Sequence, residues 1–501
     1  MIDWLYTKEP LETDDTVRSI ISTELPDEYK TDKYLNAVCI IVHRLSNMPW
    51  YTQEQLIKET ELNKEELIKV NKVIRDSDYL QTLITKKGLG RKYWNTMSPF
   101  SNSTKSVINH KYQFPIRIAM FPGISCMFYC GFCGRNQKAR YPGSILKDGN
   151  KRFKDILNSL PKTSAISISG GLEPLTNPQL DKMISHAKSL NIRVPLITNG
   201  YSLTPNYLKK HTGLWDLDSL RISLYGIDEE SYDFITRKPG SYELVKANTI
   251  NFLKQRNEIN PNLKFGFNYI IIPETMEHMM PLVDLIEDIN SKVDNGPGID
   301  FLTLREDFGS VTEGSVADDE NRIYRLENFI STDDRKVLVD TFQKFKVKQQ
   351  ERCPELHVDY GYALVSIADG IVGKSLMKVD GTEMRKSGFP QLSVAVDLNG
   401  DIFLYREAGF LDRPGNDKFI LGRIGEDKSF EDVIREFVES KYSVDTVQFD
   451  NRFMDSFDHI LTTLVNQSEK DLEFGIPFDL GPVKDRCGEK DIKLGNNWYK
   501  K

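Results

Sequence analysis

Three cysteines that lie close together in the sequence constrain this chain more than any other feature. Cys126, Cys130 and Cys133 fall within eight residues, and the whole chain of 501 residues contains only six cysteines. In a chain of this size, so tight a group is more typical of a metal site than of a disulfide framework. Three thiolates can bind three irons of a [4Fe–4S] cluster and leave the fourth iron without a protein ligand. The spacing therefore predicts a cluster with one open coordination site, kept in a reducing compartment.

A zinc site or plain core cysteines are the alternatives for this group. A structural zinc ion would require a fourth ligand nearby, and no His or Cys follows Cys133 closely in the sequence. The remaining cysteines, Cys39, Cys353 and Cys487, are isolated from one another. They are too few for an auxiliary-cluster domain, so we expect one cluster only. Cys39 lies on an apolar helical face and is predicted to be a core residue.

Short apolar strands alternate with amphipathic helices from about residue 113 onwards. Six such units predict parallel strands joined by crossover helices, in an open six-unit α/β barrel rather than a closed eight-unit one.

We expect a helical N-terminal domain (1–110), a partial (β/α)6 barrel (111–310) and a C-terminal α+β extension (311–501) that covers the substrate site. In that extension, Asn399-Gly400 between two apolar runs predicts a β-hairpin. The predicted strands are Pro115–Phe121, Ala165–Ser169, Val194–Thr198, Leu220–Leu224, Phe265–Ile272, Phe301–Leu304, Leu356–Tyr360 and Ser393–Val396. The predicted later helices are Pro178–Leu190, Leu244–Asn257, Met276–Asn290, about 333–351 and Phe430–Ser440, followed by a tail.

The charge balance argues against some classes of partner. The formal net charge is -7, so the chain as a whole does not attract nucleic acid or anionic membranes. The segment Tyr51–Thr60 resembles part of a helix-turn-helix, but with this acidic balance a helical cap on the catalytic domain is the better interpretation. The first residues show neither the basic nor the apolar stretch of a signal peptide, and no run approaches the ~20 apolar residues of a spanning helix. We therefore expect a cytoplasmic protein with no nucleic-acid or membrane partner.

Four motifs in a fixed order resemble those of one enzyme superfamily. The CxxxCxxC loop carries an aromatic residue, Phe132, before its last cysteine, and the second strand ends in Gly170–Pro174 (GGLEP). The third strand ends in Thr198-Asn199-Gly200, and the fourth reads Arg221–Gly226 (RISLYG). Each motif alone is weak, and the last two are also typical of ordinary turns. In this order and spacing, they resemble the motifs of radical S-adenosylmethionine (SAM) enzymes.

The resemblance implies two cofactors and the residues around them. The open iron of the cluster would chelate the amino and carboxylate groups of SAM, and the GGLEP backbone would meet the amino group. Polar groups at the ends of the third and fourth strands would meet the SAM ribose and carboxylate. One electron, from a donor such as flavodoxin or ferredoxin, would cleave SAM to a 5′-deoxyadenosyl radical. The residues implied to bind these cofactors, besides the cysteines, are Phe132, Gly170, Gly171, Glu173, Asn199 and Ser223.

Further stretches resemble a narrower group, the ammonia-lyases (deaminases) of desosamine biosynthesis that act on dTDP-4-amino-4,6-dideoxyglucose. They spread over about residues 90–465, which is most of the chain. The resemblance implies that hydrogen is taken from carbon 3 of the sugar, that ammonia leaves carbon 4, and that a 3-keto-4,6-dideoxy sugar is formed. The stretches are Tyr93–Thr96, Ala139–Tyr141, Gly170–Pro178, Gly213–Trp215, Ser223–Gly226, Leu304–Asp307, His357–Leu364, Asp401–Phe410 and Phe453–Asp455.

Charged and aromatic residues beyond the predicted strands suit a sugar-nucleotide substrate. Arg305 and Glu306, at the end of the sixth strand, are the predicted catalytic pair. Arg305 would hold a phosphate and Glu306 would bond the sugar or shuttle a proton, with a rim ion pair as the alternative. Arg406 is predicted to bind the pyrophosphate, although strand alternation would point its neighbours to the opposite face. Tyr360 and Tyr362 are predicted to stack on the base or to bond hydroxyls, with plain packing as the alternative.

Three functional hypotheses follow from the sequence. The first is an ammonia-lyase acting on a dTDP-amino-dideoxysugar. The second is a radical SAM dehydrogenase or dehydratase acting on another sugar nucleotide or an aminoglycoside. The third is a non-catalytic metal-binding regulator built from the helical N-terminus and the cysteine loop. Cleavage of SAM would reject the third, and release of ammonia would separate the first two.

Overall fold

The computed structural model describes most of the chain between residues 15 and 484. The described ranges are 15–85, 88–131, 133, 139–271, 277–306, 332–362, 364–370, 386–413, 415–440, 444–445 and 453–484. No helix in these ranges combines the length and apolarity needed to cross a membrane.

The N-terminal region is helical, as predicted, and packs around one almost fully buried helix. Its helices are α1 (Asp15–Thr23), α2 (Asp32–Asn47), α3 (Gln53–Thr60), α4 (Lys64–Asp76), α5 (Asp78–Thr85), α6 (Gly88–Ser101) and α7 (Thr104–Ile108). Helix α2 contacts α3, α5 and α6. Its Cys39 is fully buried, which confirms it as a core residue, and burial raises the pKa of the thiol to about 11. Thr52 caps the start of α3, because its side chain accepts from the backbone N–H of Gln55.

Six parallel strands form the predicted wall of an open barrel. Each strand from β1 to β6 pairs in parallel with the next one in the chain, which confirms the predicted order. The strands are β1 (Arg117–Phe121), β2 (Ala165–Ile168), β3 (Pro195–Thr198), β4 (Ser219–Leu224), β5 (Lys264–Ile271) and β6 (Phe301–Glu306). The connecting helices are α8 (Leu146–Ser159), α9 (Leu180–Ser189), α10 (Pro205–Lys210), α11 (Glu229–Thr236), α12 (Ser241–Ile259) and α13 (Met279–Ser291).

The sheet continues past these six strands at both edges. Strand β7 (His357–Tyr360) pairs in parallel with β6, and β9 (Ser393–Asp397) pairs in parallel with β1. The sequence predicts both strands, but not that they belong to the barrel sheet. Strands β10 (Asp401–Phe403) and β11 (Ile420–Arg423) then extend the β9 edge in antiparallel order. The region after residue 310 therefore supplies both edges of the open barrel.

The predicted hairpin joins β9 to β10, and its second strand is shorter than expected. Gly400 has a φ of +84° in the turn, which favours glycine. The pairing of β10 with β11 shifts register between Ile402 and Phe403, and β10 ends at Phe403. The chain then turns into a 3-10 helix, Arg406–Gly409. Strand alternation therefore does not apply to Arg406, contrary to the reasoning from the sequence.

A long helix lies where the sequence predicts only a tail. The C-terminal region contains α14 (Thr332–Arg352), α15 (Val365–Ala368), α16 (Phe430–Glu439), α17 (Ser456–Phe474) and the two-stranded sheet of β8 (Lys386–Ser387) and β12 (Val444–Asp445). Helix α17 packs against α3, α6 and α7 of the N-terminal region. Its polar residues Thr462, Asn466 and Gln467 are buried and hydrogen-bonded to backbone carbonyls. The helix also buries Phe457, Ile460 and Leu464. Because the buried polar residues interrupt this apolar face, the sequence does not show the continuous stripe that identifies an amphipathic helix.

The buried ion pair of Arg256 with Asp300 is predicted to contribute strongly to the stability of the fold. Arg256 is fully buried at the end of α12, and its Nη1 lies 2.6 Å from Asp300 Oδ2. We expect Arg256→Met to lower the free energy of unfolding by about 3–5 kcal/mol, because Asp300 and nearby carbonyls lose their donor. Lys264 pairs with the same carboxylate at 2.8 Å but is 36% exposed, so Lys264→Met should cost under about 1 kcal/mol. Equal denaturant midpoints for the two variants would contradict the assignment.

The contact between α17 and α3 should depend on pH. Asp471 is buried, accepts from the backbone N–H of Gln53 at 2.7 Å, and has its pKa raised by burial to about 7. A folded-state pKa above the unfolded value of 3.8 means that stability falls as pH rises from about 4 to 7. We expect Asp471→Asn to raise the denaturation midpoint at pH 8 and to raise it less at pH 5. A gain that is the same at both pH values would show that the carboxyl is not buried as described.

Candidate active site

The cysteine loop begins directly after β1 and is held by the elements that follow the next strands. The backbone N–H of Tyr129 donates to the carbonyl of Thr236, at the end of α11, at 2.9 Å. The carbonyl of Ser125 accepts from the backbone N–H of Glu173, in the GGLEP turn, at 2.9 Å. The position of the loop is therefore set by the turn after β2 and by the helix after β4.

The three thiols lie around one buried tyrosine. Cys130 is buried, Cys126 and Cys133 are half-buried, and none of the three is in a disulfide. Burial raises the pKa of Tyr225 well above its ordinary value, and Cys130, Cys126 and Cys133 add to the rise because they lie near the same phenol. Within the described ranges, no three His, Cys, Asp or Glu converge on a single metal ion. A cluster does not require such convergence, since each thiolate binds a different iron, and the donor set fits one.

Beyond the cysteines, the loop returns to the sheet edge through Tyr141. The Tyr141 hydroxyl donates to Asp397 Oδ2 at 2.5 Å, and both residues are buried. Burial raises the pKa of Asp397 to about 6. Asp397 is the last residue of β9, so the C-terminal region fixes the far end of the segment that carries the cysteines.

Glu173 of the GGLEP turn ties the end of β2 to the end of β3. Its carboxylate accepts from Thr198 Oγ1 at 2.5 Å and from the backbone N–H of Asn199 at 2.8 Å. Burial raises the pKa of Glu173 to about 7, although these donors oppose the rise. The side chain of Glu173 therefore shapes the turn on which the motif depends.

Two glycines of this region are required by close packing. A Cβ on Gly123 would lie 2.6 Å from the carbonyl oxygen of Glu173, so the start of the cysteine loop rests on the GGLEP turn. A Cβ on Gly171 would lie 2.7 Å from the carbonyl oxygen of Gly409, in the 3-10 turn after β10. Both distances are too short for any side chain. The GGLEP turn is thus packed between the cysteine loop and the C-terminal region.

Asn199 and Ser223, which also have an expected role toward SAM, lie at the same end of the sheet. Asn199 Nδ2 lies 3.8 Å from Cys126 Sγ and 3.1 Å from Met127 Sδ, so the end of β3 touches the cysteine loop. Ser223 is near the end of β4, in register with Asn268 of β5. Phe132 lies outside the described residues. The structure therefore brings the cysteines, the GGLEP turn and Asn199 together.

A cavity of about 140 Å³ lies inside the barrel, beneath these motifs. On β3 and β4, its lining residues Ile197 and Arg221 stand two positions before the motif residues Asn199 and Ser223, on the same face of the strand. Two residues of strand span roughly 6–7 Å. Among the described residues, the charged lining consists of the cations Lys92, Arg117, Arg221, Arg305 and Arg406 and the carboxylates Asp359 and Asp455. This excess of positive charge suits an anionic ligand.

Several buried polar atoms of this interior lack a hydrogen-bond partner within the described part of the chain. They are Ser169 Oγ, Asn268 Oδ1, Thr303 Oγ1 and Arg406 Nε. Thr303 and Arg406 line the cavity, and Asn268 pairs in register with Thr303 on the same face of the sheet. Buried polar atoms are normally satisfied. Their position is consistent with a polar ligand in the barrel.

The expected substrate residues divide into two groups. Arg305, Arg406 and Tyr362 line the cavity. Tyr360 is buried against Phe342 of α14, with ring centroids 5.5 Å apart, and does not line it. The backbone of Glu306 ends β6, and its side chain lies outside what the structure describes.

Five charged residues of the cavity were given no role from the sequence, namely Lys92, Arg117, Arg221, Asp359 and Asp455. Lys92 comes from α6 and lies 2.8 Å from Asp359 of β7. Arg117 begins β1 and Arg221 lies within β4. The alternation of polar and apolar residues along β4 is an available signal for Arg221, because it places Ser219, Arg221 and Ser223 on one face of the strand. No comparable signal marks Lys92 or Asp359.

Comparison with known proteins agrees with this geometry. The sequence profile of the Radical SAM superfamily matches residues 120–286, which run from β1 through α13. The chain belongs to this superfamily and is a radical SAM enzyme, and its members use a [4Fe–4S] cluster and SAM. It is 34% identical over 436 residues to the dTDP-4-amino-4,6-dideoxy-D-glucose ammonia-lyase of Streptomyces venezuelae, across 86% of this chain and 87% of the relative.

Other similarities are more limited. An S-adenosylmethionine-dependent nucleotide dehydratase of Lacinutrix mariniflava is 26% identical over 181 residues, which cover 33% of this chain and 37% of that protein. Among solved structures, Streptococcus suis SuiB bound to S-adenosylmethionine aligns with a TM-score of 0.44 and 16% identity, over 76% of this chain and 77% of that one.

The cysteine loop can be tested by its metal content. We expect the triple variant Cys126→Ala, Cys130→Ala, Cys133→Ala to lose nearly all iron and sulfide after anaerobic reconstitution and desalting, because thiolates are the ligands of the cluster. The matched control is the double variant Cys39→Ala, Cys353→Ala, which removes two buried cysteines elsewhere in the fold and should keep the wild-type content. Wild-type iron in the triple variant would contradict the assignment of the loop.

Proposed function

We propose that this chain is a radical SAM ammonia-lyase acting on dTDP-4-amino-4,6-dideoxyglucose or a closely similar sugar nucleotide. The sugar would give one hydrogen atom to the deoxyadenosyl radical and lose ammonia from carbon 4, and its carbon 3 hydroxyl would become a carbonyl. Carbon 4 would gain its new hydrogen as one electron from the reductant and one proton. The observation that carries the proposal is 34% identity to an ammonia-lyase with this substrate over 86% of the chain. That similarity includes the C-terminal region as well as the barrel, so it extends to the elements that surround the cavity.

Three cysteines would hold the cluster, and the neighbouring turns would hold SAM. Cys126, Cys130 and Cys133 lie on one loop around Tyr225, as three ligands of one cluster should. When bound, the cluster and SAM supply a 5′-deoxyadenosyl radical that removes a hydrogen atom from the substrate. The residues we assign to SAM are Phe132, Gly170, Gly171, Glu173, Asn199 and Ser223.

The cavity beneath these turns would hold the substrate. Arg305 and Arg406 would bind the diphosphate, because both are cationic, line the cavity and come from opposite edges of the open barrel. Tyr362 would contact the nucleoside, because its ring also lines the cavity and is part of a cluster with Lys92, whose Nζ lies 5.2 Å from the ring centroid. We assign Tyr360 no role in substrate binding, because it does not line the cavity.

Glu306 would handle the proton at the reacting end of the sugar. It ends β6 one residue beyond Arg305, at the carboxyl edge of the sheet where the cysteine loop also lies. Ligands of parallel α/β sheets bind at that edge. A carboxylate there would hold the carbon 3 hydroxyl or the departing amine and move its proton, and Arg305 would fix the substrate beside it.

The cellular setting follows from the cofactor. A cluster with an open iron requires reducing conditions, so we assign the protein to the cytoplasm. A small redox protein such as flavodoxin or ferredoxin would donate the electron. We assign no nucleic-acid or membrane partner, in keeping with the net charge of -7.

An anaerobic assay tests the proposed reaction. Reconstituted enzyme, reductant, SAM and dTDP-4-amino-4,6-dideoxyglucose are combined, and 5′-deoxyadenosine and ammonia are measured together. We expect both to rise only when the sugar nucleotide is present. Deoxyadenosine without ammonia would reject the lyase and favour dehydrogenation or another substrate. As a control, the triple cysteine variant should form neither product.

A further inference from the structure

Three arginines from separate elements meet around one buried carboxylate. Arg117 begins β1, Arg305 lies in β6 and Arg406 lies in the 3-10 turn after β10, and all three line the cavity. Asp455, which lines it with them, is only 4% exposed. Although burial opposes it, Arg117, Arg406 and Arg305 together hold the pKa of Asp455 below its ordinary value. The three guanidinium groups therefore line one cavity with this carboxylate and lie within electrostatic reach of it.

Asp455 also accepts hydrogen bonds from the protein backbone. It is the N-cap of α17, and its Oδ1 accepts from the backbone N–H groups of Phe457 and Asp458 at 2.8 and 2.9 Å. The nearest approach of an arginine to it is 4.0 Å, from Arg406 Nη1 to Oδ2. The neighbouring Asp458 does not line the cavity, and its Oδ2 accepts from the backbone N–H of Asp455 at 3.2 Å. Burial and then Asp455 raise the pKa of Asp458 well above its ordinary value. Three cations thus face one carboxylate that is partly committed to a helix cap.

The remaining contacts of these arginines leave their charge unbalanced. Arg117 lies over the ring of Phe457, with its Cζ 4.3 Å from the centroid. Neither Arg117 nor Arg305 forms an ion pair with another described residue. Arg406 Nε is buried without a hydrogen-bond partner in the described ranges. The other lining carboxylate, Asp359, is already paired with Lys92 at 2.8 Å.

We propose that Arg117, Arg305 and Arg406 form one binding site for the diphosphate of a nucleoside diphosphate, with Asp455 holding the three side chains in place. The proposal rests on the proposed function for the identity of the ligand, and it adds Arg117 and Asp455 to the site. Three guanidinium groups against one carboxylate leave an excess of two positive charges, which a diphosphate balances. Guanidinium groups also match phosphate oxygens with paired donors.

Binding of thymidine diphosphate to the full-length protein tests this site without SAM or reductant. We expect the wild-type chain to bind it by calorimetry and Arg117→Met to weaken binding about tenfold or more, because a charge-assisted hydrogen bond is lost. Arg117→Lys, which keeps the charge but not the paired donors, should lose less. The matched control is Arg423→Met, since Arg423 is 62% exposed and pairs with Asp401 away from the cavity.

A second measurement covers the case in which Arg117→Met does not fold. Wild-type protein is labelled with phenylglyoxal, with and without thymidine diphosphate, and the arginine peptides are quantified. We expect the ligand to protect Arg117 and to leave Arg423 unchanged.

The outcomes separate this site from the proposed reaction. Unchanged affinity in Arg117→Met, unprotected Arg117, or a wild-type chain that does not bind thymidine diphosphate would each overturn the diphosphate site. Binding that depends on Arg117, in an enzyme that releases no ammonia from the amino sugar, would overturn the lyase reaction and leave the diphosphate site standing.

Discussion

The parallel pairing of β9 with β1 is the interaction on which the arrangement of the site depends. It registers Arg117 opposite Ser393 and Phe121 opposite Asp397, and so attaches the C-terminal region to the first strand of the barrel. From there, β10 leads the chain to the turn that carries Arg406. The pairing of β7 with β6 does the same at the other edge, where it adds Asp359 to the interior. Without these two pairings, the barrel would contain the cofactor motifs but only part of the cavity wall.

The positive charge of the cavity lowers the stability of the protein when no ligand is bound. Guanidinium groups that are withdrawn from water lose hydration, and one carboxylate cannot compensate three of them. Burial lowers the pKa of Arg406, and the proximity of Arg305 lowers it further, while Asp455 opposes both effects. Such an arrangement is a stored repulsion that an anionic ligand relieves. It is typical of sites in which function, rather than folding, selects the side chains.

The parts of this fold that the sequence predicts are those with local signals. The alternation of short apolar strands and amphipathic helices predicts the six barrel strands in their order, and Asn399-Gly400 predicts the hairpin. The cysteine spacing and the GGLEP turn predict two motifs that the structure brings together through Glu173. In each case, the signal comes from short segments of consecutive residues: single strands and helices, one turn, or one motif.

The parts that the sequence does not predict depend on contacts between distant segments. The partners in β1 and β9 are far apart in the chain, and a parallel pairing leaves no turn between them to mark it. Helix α17 is difficult to recognise in the sequence because polar residues interrupt its buried apolar face, and other segments satisfy them, as the carbonyl of Pro49 does for Gln467.

The turn Arg406–Gly409 has a thermodynamic consequence. At one end it carries a guanidinium group of the cavity, and at the other a glycine whose carbonyl rests on Gly171 of the GGLEP turn. Where occupation of one of the proposed sites displaces this turn, the free energies of occupying the two sites are linked through it. Linkage of this kind is reciprocal. Whatever the nucleotide contributes to the affinity for the cofactor, the cofactor contributes equally to the affinity for the nucleotide.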